Sequence, residues 1–181
     1  MRKLFQFLTV IVLMSGITAN SLAQTSATVS GVNAGAVLIT PMTLTKTADL
    51  HFGTINVLTG VAGTVTLPSN STTRTFTGGV AASTVTPLAT NAAFTVTGTM
   101  NETYALTLPS TITVTETVGG SATMSIGTLK ARFNGAGADA VTSTLSSSGT
   151  DSFTLGGTLT VGADQVTGVY AGTFNVTIDY N

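Results

Sequence analysis

Along most of this chain apolar residues alternate with threonine, serine or glycine at a period of two. The alternation is clearest at the end. Tyr170, Gly172, Phe174, Val176, Ile178 and Tyr180 form one row, and Thr173, Asn175, Thr177 and Asp179 form the other. A period of two sends successive side chains to opposite faces, so Gly168–Asn181 predicts a strand with one face in a core. Because this strand stands last, its outer neighbour is expected from elsewhere in the chain or from another polypeptide.

Shorter alternating runs precede it, separated by Gly, Pro, Asn and Ser clusters that fit turns. From Gly35 the pattern firms through Val37, Leu38 and Ile39, breaks at Pro41, and resumes with Met42 and Leu44. Leu50 and Phe52 share a face, as do Val65 and Leu67, and a further run carries Phe76 before Gly78-Gly79. Phe94 and Val96 predict a strand that forms a hairpin with Tyr104, Leu106 and Leu108 across Met100-Asn101-Glu102. Ile112 and Val114, then Met124 and Ile126, give two more strands. The pattern predicts a last hairpin, pairing Phe153–Val161 with the terminal strand across Gly162-Ala163-Asp164. Segments 134–139 and 146–149 read as loops. Many short strands in one domain predict an all-β fold, a two-sheet β-sandwich with a closed barrel as the alternative.

Composition supports this reading. Thr and Val are β-branched and suit a pleated surface, while Gly suits turns and bulges. The amino terminus changes the picture. Arg2 and Lys3 precede an apolar run from Leu4 to Ile17, and Ser21-Leu22-Ala23 places small residues before a cut. This predicts a secretory signal peptide over 1–23, and hence a protein of the periplasm, cell surface or exterior. Removing 23 of 181 residues leaves 158, one domain's worth. The expected division is a leader or donor arm over 24–34 and a single sandwich domain over 35–181.

The mature chain has four basic residues against seven acidic ones, a formal charge of −3. Four scattered cations cannot build a phosphate-binding groove, which argues against nucleic acid as a partner. There is no cysteine, so packing and backbone pairing must hold the fold together. No run after the signal is long enough to span a bilayer.

The residues for catalysis are sparse. His51 is the single histidine, which excludes a histidine cluster for metal, and it should face away from Leu50 and Phe52. The aspartates lack the spacing of a calcium loop, and the Gly pairs lack the Lys-Ser/Thr of a phosphate cradle. Glu102 and Glu116 could form a carboxylate pair by spacing alone, but nothing places them across a cleft. No enzyme, cofactor or metal site is expected.

Leu50-His51-Phe52-Gly53, Gly63-Thr64-Val65, Gly78-Gly79-Val80, Leu108-Pro109-Ser110 and Gly156-Gly157-Thr158-Leu159 resemble the secreted bacterial family DUF4402, as does Gly168 through Phe174. That resemblance covers nearly all of the mature chain and carries no biochemical activity with it. The tail is also similar to that of chaperone–usher pilins and spore-coat U type proteins, in Gly168 fourteenth from the end, the alternating apolar row and the penultimate Tyr180. The resemblance implies an immunoglobulin-like sandwich completed by a donated strand, first from a periplasmic chaperone with its usher and then from a like subunit in a homo-polymer. It makes Gly168, Tyr170, Phe174, Val176, Ile178, Tyr180 and Asn181 the partner-binding residues. A self-contained sandwich that binds a surface ligand or carbohydrate through its loops, with Asn134–Asp139 and Ser146–Asp151 as the candidates, is the second expectation.

Overall fold

The structure is a computed structural model and describes residues 26–181, so the expected signal peptide, Gln24 and Thr25 lie outside the described residues. Leu38–Asn181 forms one compact unit and the residues before it another. Of the latter, Ser26–Val37 are described, and they form no strand, turn or bend.

The regular elements of the described residues are all strands: β1 (Thr43–Ala48), β2 (Ile55–Val57), β3 (Gly63–Leu67), β4 (Thr75–Gly78), β5 (Val80–Ala82), β6 (Ala92–Thr97), β7 (Thr103–Thr107), β8 (Thr111–Glu116), β9 (Thr123–Phe133), β10 (Thr142–Thr144), β11 (Thr150–Val161), β12 (Tyr170–Ala171) and β13 (Thr177–Tyr180). All pairings are antiparallel, and the sheets pack in a sandwich-like arrangement.

The long strand β11 is the spine of an eight-stranded sheet. One edge pairs with β6 over Thr150–Leu155 and with β3 over Gly157–Val161, while the other runs along β9. Beyond these lie β1 outside β6, β4 outside β3, and β8 then β12 outside β9. Phe153, Leu155, Leu159 and Val161 of β11 are buried on the inner face, as the period of two requires.

The outer face is a plane of hydroxyls. Thr77, Thr64, Thr160, Ser125 and Thr113 stand in register across five strands. Neighbouring hydroxyls bond directly, as in Thr64–Thr77 at 2.7 Å and Thr66–Thr158 at 3.0 Å. β-branched cross-strand pairs of this kind stabilise a sheet without a second layer on that face. Thr128, at φ 50, marks a bulge in β9 opposite Gly156–Thr158, where the register shifts.

Two smaller sheets cover the inner face: β10–β7–β13, and β2–β5. The core beneath them has two parts. The first joins Phe94, Val96, Phe133, Phe153 and Leu155 to Tyr104, Leu106 and Leu145. Its rings interlock, with Phe94 stacked on Phe153 at 5.0 Å and Tyr104 edge-on to Phe133 at 5.8 Å. The second joins Val65, Leu67, Ile112, Val114, Ile126, Leu159 and Val161 to Phe52 and Val80.

Both expected hairpins are replaced by longer-range pairings. β6 pairs with β1 and β11, whereas β7 pairs with β10 and β13, so the Met100–Glu102 connection turns a corner between layers. Nor does β11 pair with the terminal segment, because β3, β6 and β9 fill its edges. The terminal strand itself is split: β12 adds to β8 in the large sheet and β13 adds to β7 in the small one. The run Val37–Ile39 forms no strand, and pairing starts only after Pro41.

Candidate functional site

The alternation of the terminal segment survives that split. Tyr170, Phe174, Val176, Ile178 and Tyr180 are each half-buried, and the residues between them are exposed. Phe174 packs against both parts of the core, while Val176, Ile178 and Tyr180 pack against the first and Tyr170 against the second. Between β12 and β13 the chain runs without a turn or bend, yet none of Thr173, Phe174, Asn175 or Val176 makes a backbone–backbone hydrogen bond among the described residues. The neighbouring position beyond Thr107 in β7 leads to Pro109, which has no N–H to donate, so the ladder stops there. On its other side β13 is an edge strand.

Gln165–Gly172 and Phe174 form one lip of a cleft of about 450 Å³. The opposite lip is Leu50–Ile55 with Val57, and the floor is Ile112, Val114, Ile126, Leu159 and Val161 of the large sheet. The lining contains no Asp, Glu, Lys or Arg. The side chains of Tyr170, Gln165 and His51 are already paired. Tyr170 donates its hydroxyl to the Val166 carbonyl at 2.6 Å and accepts from Gln165 Nε2 at 2.8 Å. Gly53 N–H donates to His51 Nδ1 at 2.7 Å, so that nitrogen is the acceptor and the exposed imidazole helps turn the lip. At the mouth Val57, Val166 and Val169 are exposed.

Both lips are held from outside the cleft. The Arg74 guanidinium donates to the Phe52 carbonyl at 2.6 Å and the Thr54 carbonyl at 2.9 Å, and lies 5.2 Å from the Phe76 ring centre. Such charge-assisted bonds to carbonyls are the stronger kind. At the other lip, Gly168 lies against the buried Glu116. A Cβ there would stand 3.0 Å from Glu116 Cγ. Gly172 is more restricted still, since a Cβ would collide with the Thr113 carbonyl. These two glycines are needed because the terminal segment lies close on the edge of β8.

The remaining expected site residues sit apart from the cleft. Tyr180 donates its hydroxyl to the Thr40 carbonyl at 2.6 Å and accepts from Thr99 N–H at 2.7 Å, which ties the end of the chain to the large sheet's first edge. Asn181 donates its backbone N–H to the Thr103 carbonyl at 3.1 Å. The structure therefore brings Gly168, Tyr170 and Phe174 to the cleft, and places Val176, Ile178, Tyr180 and Asn181 along β13. Leu50, Phe52, Ile112 and Ile126 complete the cleft, and sequence reading assigned them only to strands.

The two loops considered for ligand binding are fastened by their own side chains. Asp139 accepts from Ser69 at 2.5 Å and Arg132 at 3.0 Å, and these partners hold its carboxyl below the usual carboxylate range. Ser146, Ser148 and Thr150 bond to one another. Among the described residues no three His, Cys, Asp or Glu side chains come together. Glu116 closes β8 and Glu102 precedes β7, so they belong to different sheets.

No curated protein and no solved structure matches this chain. The model of one family does, that of a domain of unknown function designated DUF4402, over residues 42–180. The match takes in all three sheets, the cleft and the terminal segment, and the chain belongs to that family.

Proposed function

We propose that this chain is a non-enzymatic structural subunit of a secreted or cell-surface bacterial assembly and that it assembles by β-strand complementation. The observation that carries the reading is an uncharged apolar cleft of about 450 Å³ whose lip ends at Phe174, within the stretch Thr173–Val176 that makes no backbone–backbone hydrogen bond among the described residues. A strand entering there gains main-chain bonds along that stretch and buries alternate side chains on the floor. Each side chain so buried contributes roughly 1.5–3 kcal/mol, a sizeable share of a small domain's stability. An immunoglobulin-like, pilin-like sandwich and export by the amino-terminal signal belong to the same proposal.

The loops favour the alternative of a ligand-binding module less, because their polar groups bond internally. The deciding measurement is sedimentation velocity and thermal unfolding of Gln24–Asn181 over a wide concentration range. Growth of linear oligomers with a rising unfolding temperature is the expected result. A monomer of unchanging mass and unfolding temperature at every concentration would sink the proposal.

A further inference from the structure

Much of the main chain on both lips of the cleft is already paired. On the first lip the N–H groups of His51 and Thr54 donate to the Thr90 and Pro87 carbonyls, each at 2.9 Å, and Gly53 N–H donates to His51 Nδ1. Ile55–Val57 then pairs with β5. On the second lip the Val169 carbonyl accepts both the N–H and the hydroxyl of Thr117, at 2.8 and 3.0 Å, and Tyr170–Ala171 pairs with β8. The unpaired stretch Thr173–Val176 touches the cleft only through Phe174. A strand can therefore pair at that end, whereas between Leu50–Val57 and Gln165–Ala171 an occupant meets surface in place of free hydrogen-bonding partners. A peptide or sugar held there would bury polar groups at a cost.

That surface is uncharged and mainly aliphatic. Its floor, Ile112 and Val114 of β8, Ile126 of β9, and Leu159 and Val161 of β11, spans three adjacent strands, roughly 10 Å at about 4.8 Å per strand. Exposed Val57, Val166 and Val169 carry the apolar surface out to the mouth. Volume sets the size of what fits. An apolar cavity of about 150 Å³ takes one benzene ring. At about 450 Å³ this cleft has room for something longer, within the roughly 300–1,000 Å³ usual for small-molecule sites.

We infer that the cleft is a binding site for a small neutral molecule built on a single alkyl chain, which lies along the floor with its polar end in water at the valine rim. A hydrocarbon chain has no hydrogen bonds to lose and gains by the apolar area it removes from water. A charged end group finds no counter-charge in the lining, so the neutral molecule is preferred over its ionised analogue. The site goes beyond the assembly reading and does not depend on it. Because the alkyl chain and an entering strand would cover the same floor, the molecule opposes assembly wherever assembly uses this cleft.

The test titrates octanol into Gln24–Asn181, kept dilute enough to be monomeric, by calorimetry and by mapping methyl chemical shifts. Saturable one-to-one binding is expected, with shifts at Ile112, Val114 and Leu159 and none at Val96 and Leu155 in the closed part of the core. Octanoate should bind at least threefold more weakly. Val114→Phe, which fills the floor, should weaken octanol binding at least tenfold, with circular dichroism and urea unfolding to check that the variant is folded. Val166→Asp with Val169→Asp, at exposed positions of the rim, should weaken it at least threefold without touching the floor.

Octanol that fails to saturate, that binds both variants as well as the wild type, or that shifts methyl groups of the two core parts equally overturns the site. Octanoate binding as tightly as octanol overturns the neutral class. If chains assemble and octanol neither binds nor slows assembly, the occupant is a strand, and this inference fails while the assembly reading stands. If octanol binds at the cleft and chains never assemble, the assembly reading fails and this one stands.

Discussion

The two parts of the core share strands β9 and β11 and differ in what lies over them. At the first, Tyr104, Leu106 and Leu145 descend from the three-stranded sheet onto Phe94, Phe133 and Phe153, and the layers close. At the second, Phe52 and Val80 cover only one side, and the floor beneath them is open to a cleft of about 450 Å³. Both sides of that comparison come from strands alternating apolar and polar positions, the first rich in Phe, Tyr and Leu and the second in Val, Leu and Ile. What distinguishes them is whether the opposite layer has enough paired strand to cover the sheet. The first part is finished by the chain itself, and the second has a floor and two lips.

β11 allows this difference to be measured with identical chemistry. Leu155 belongs to the closed part and Leu159 to the floor of the cleft, on the same face of one strand. Leu155→Ala should cost about 3–5 kcal/mol, because a packed surround relaxes little around the missing atoms. Leu159→Ala should cost about 2–3 kcal/mol in the unassembled chain, since its side chain already borders open space and loses fewer contacts. Urea midpoints of the two variants at equal m-values make the comparison, and equal losses would show that the second part is packed as tightly as the first. On the strand-complementation proposal the gap should narrow once chains assemble, because a strand in the cleft restores contacts.

Enlarging a side chain runs the same comparison in reverse. Val96 is fully buried in the closed part, and Val96→Leu should destabilise by about 1–3 kcal/mol through overpacking. Val114 lines the cleft, so Val114→Leu should be neutral or stabilise by up to about 1 kcal/mol in the isolated chain. On the strand-complementation proposal it should also weaken assembly by narrowing the cleft. A variant that destabilises as much as Val96→Leu would mean that the floor has no room to give.

The architecture was readable where local pattern determines it and unreadable where pairing depends on distant partners. Alternation identified the inner row of the terminal segment correctly from Phe174 to Tyr180, and put His51 opposite Leu50 and Phe52. The same alternation cannot say which strands share an edge. Phe94 with Val96 and Tyr104 with Leu106 look like a hairpin because each has one apolar face and a short connection separates them. In the fold those faces meet across the sandwich, with Val96 and Tyr104 in the same buried cluster. The cleft was legible only in half, through Tyr170 and Phe174. Its other lip depends on Arg74 reaching the Phe52 and Thr54 carbonyls, and nothing in the spacing of Arg74 announces that contact. Pro109 was a usable signal: it marks where the β7 ladder ends and the unpaired stretch before β13 begins.

The smallest expected effect lies at the closed end and depends on pH. Tyr104 is fully buried in the first part of the core, and burial pushes its phenol well above the usual value. Its hydroxyl also donates to Asp151 at 2.9 Å, and that carboxylate raises it further. In the unfolded chain the same phenol titrates near about 10. Between that pH and the raised folded value the unfolded state loses its proton first, so stability present below pH of about 10 is lost as pH rises. Tyr104→Phe removes one hydrogen bond while leaving Asp151 the Ser143 hydroxyl at 2.6 Å, at a cost of about 1 kcal/mol at neutral pH. The variant should then lose stability less steeply than the wild type from pH 10 upward, in urea titrations at several pH values. Parallel slopes for the two proteins would mean that water reaches the phenol in the folded state, and that the closed end is more open than its packing indicates.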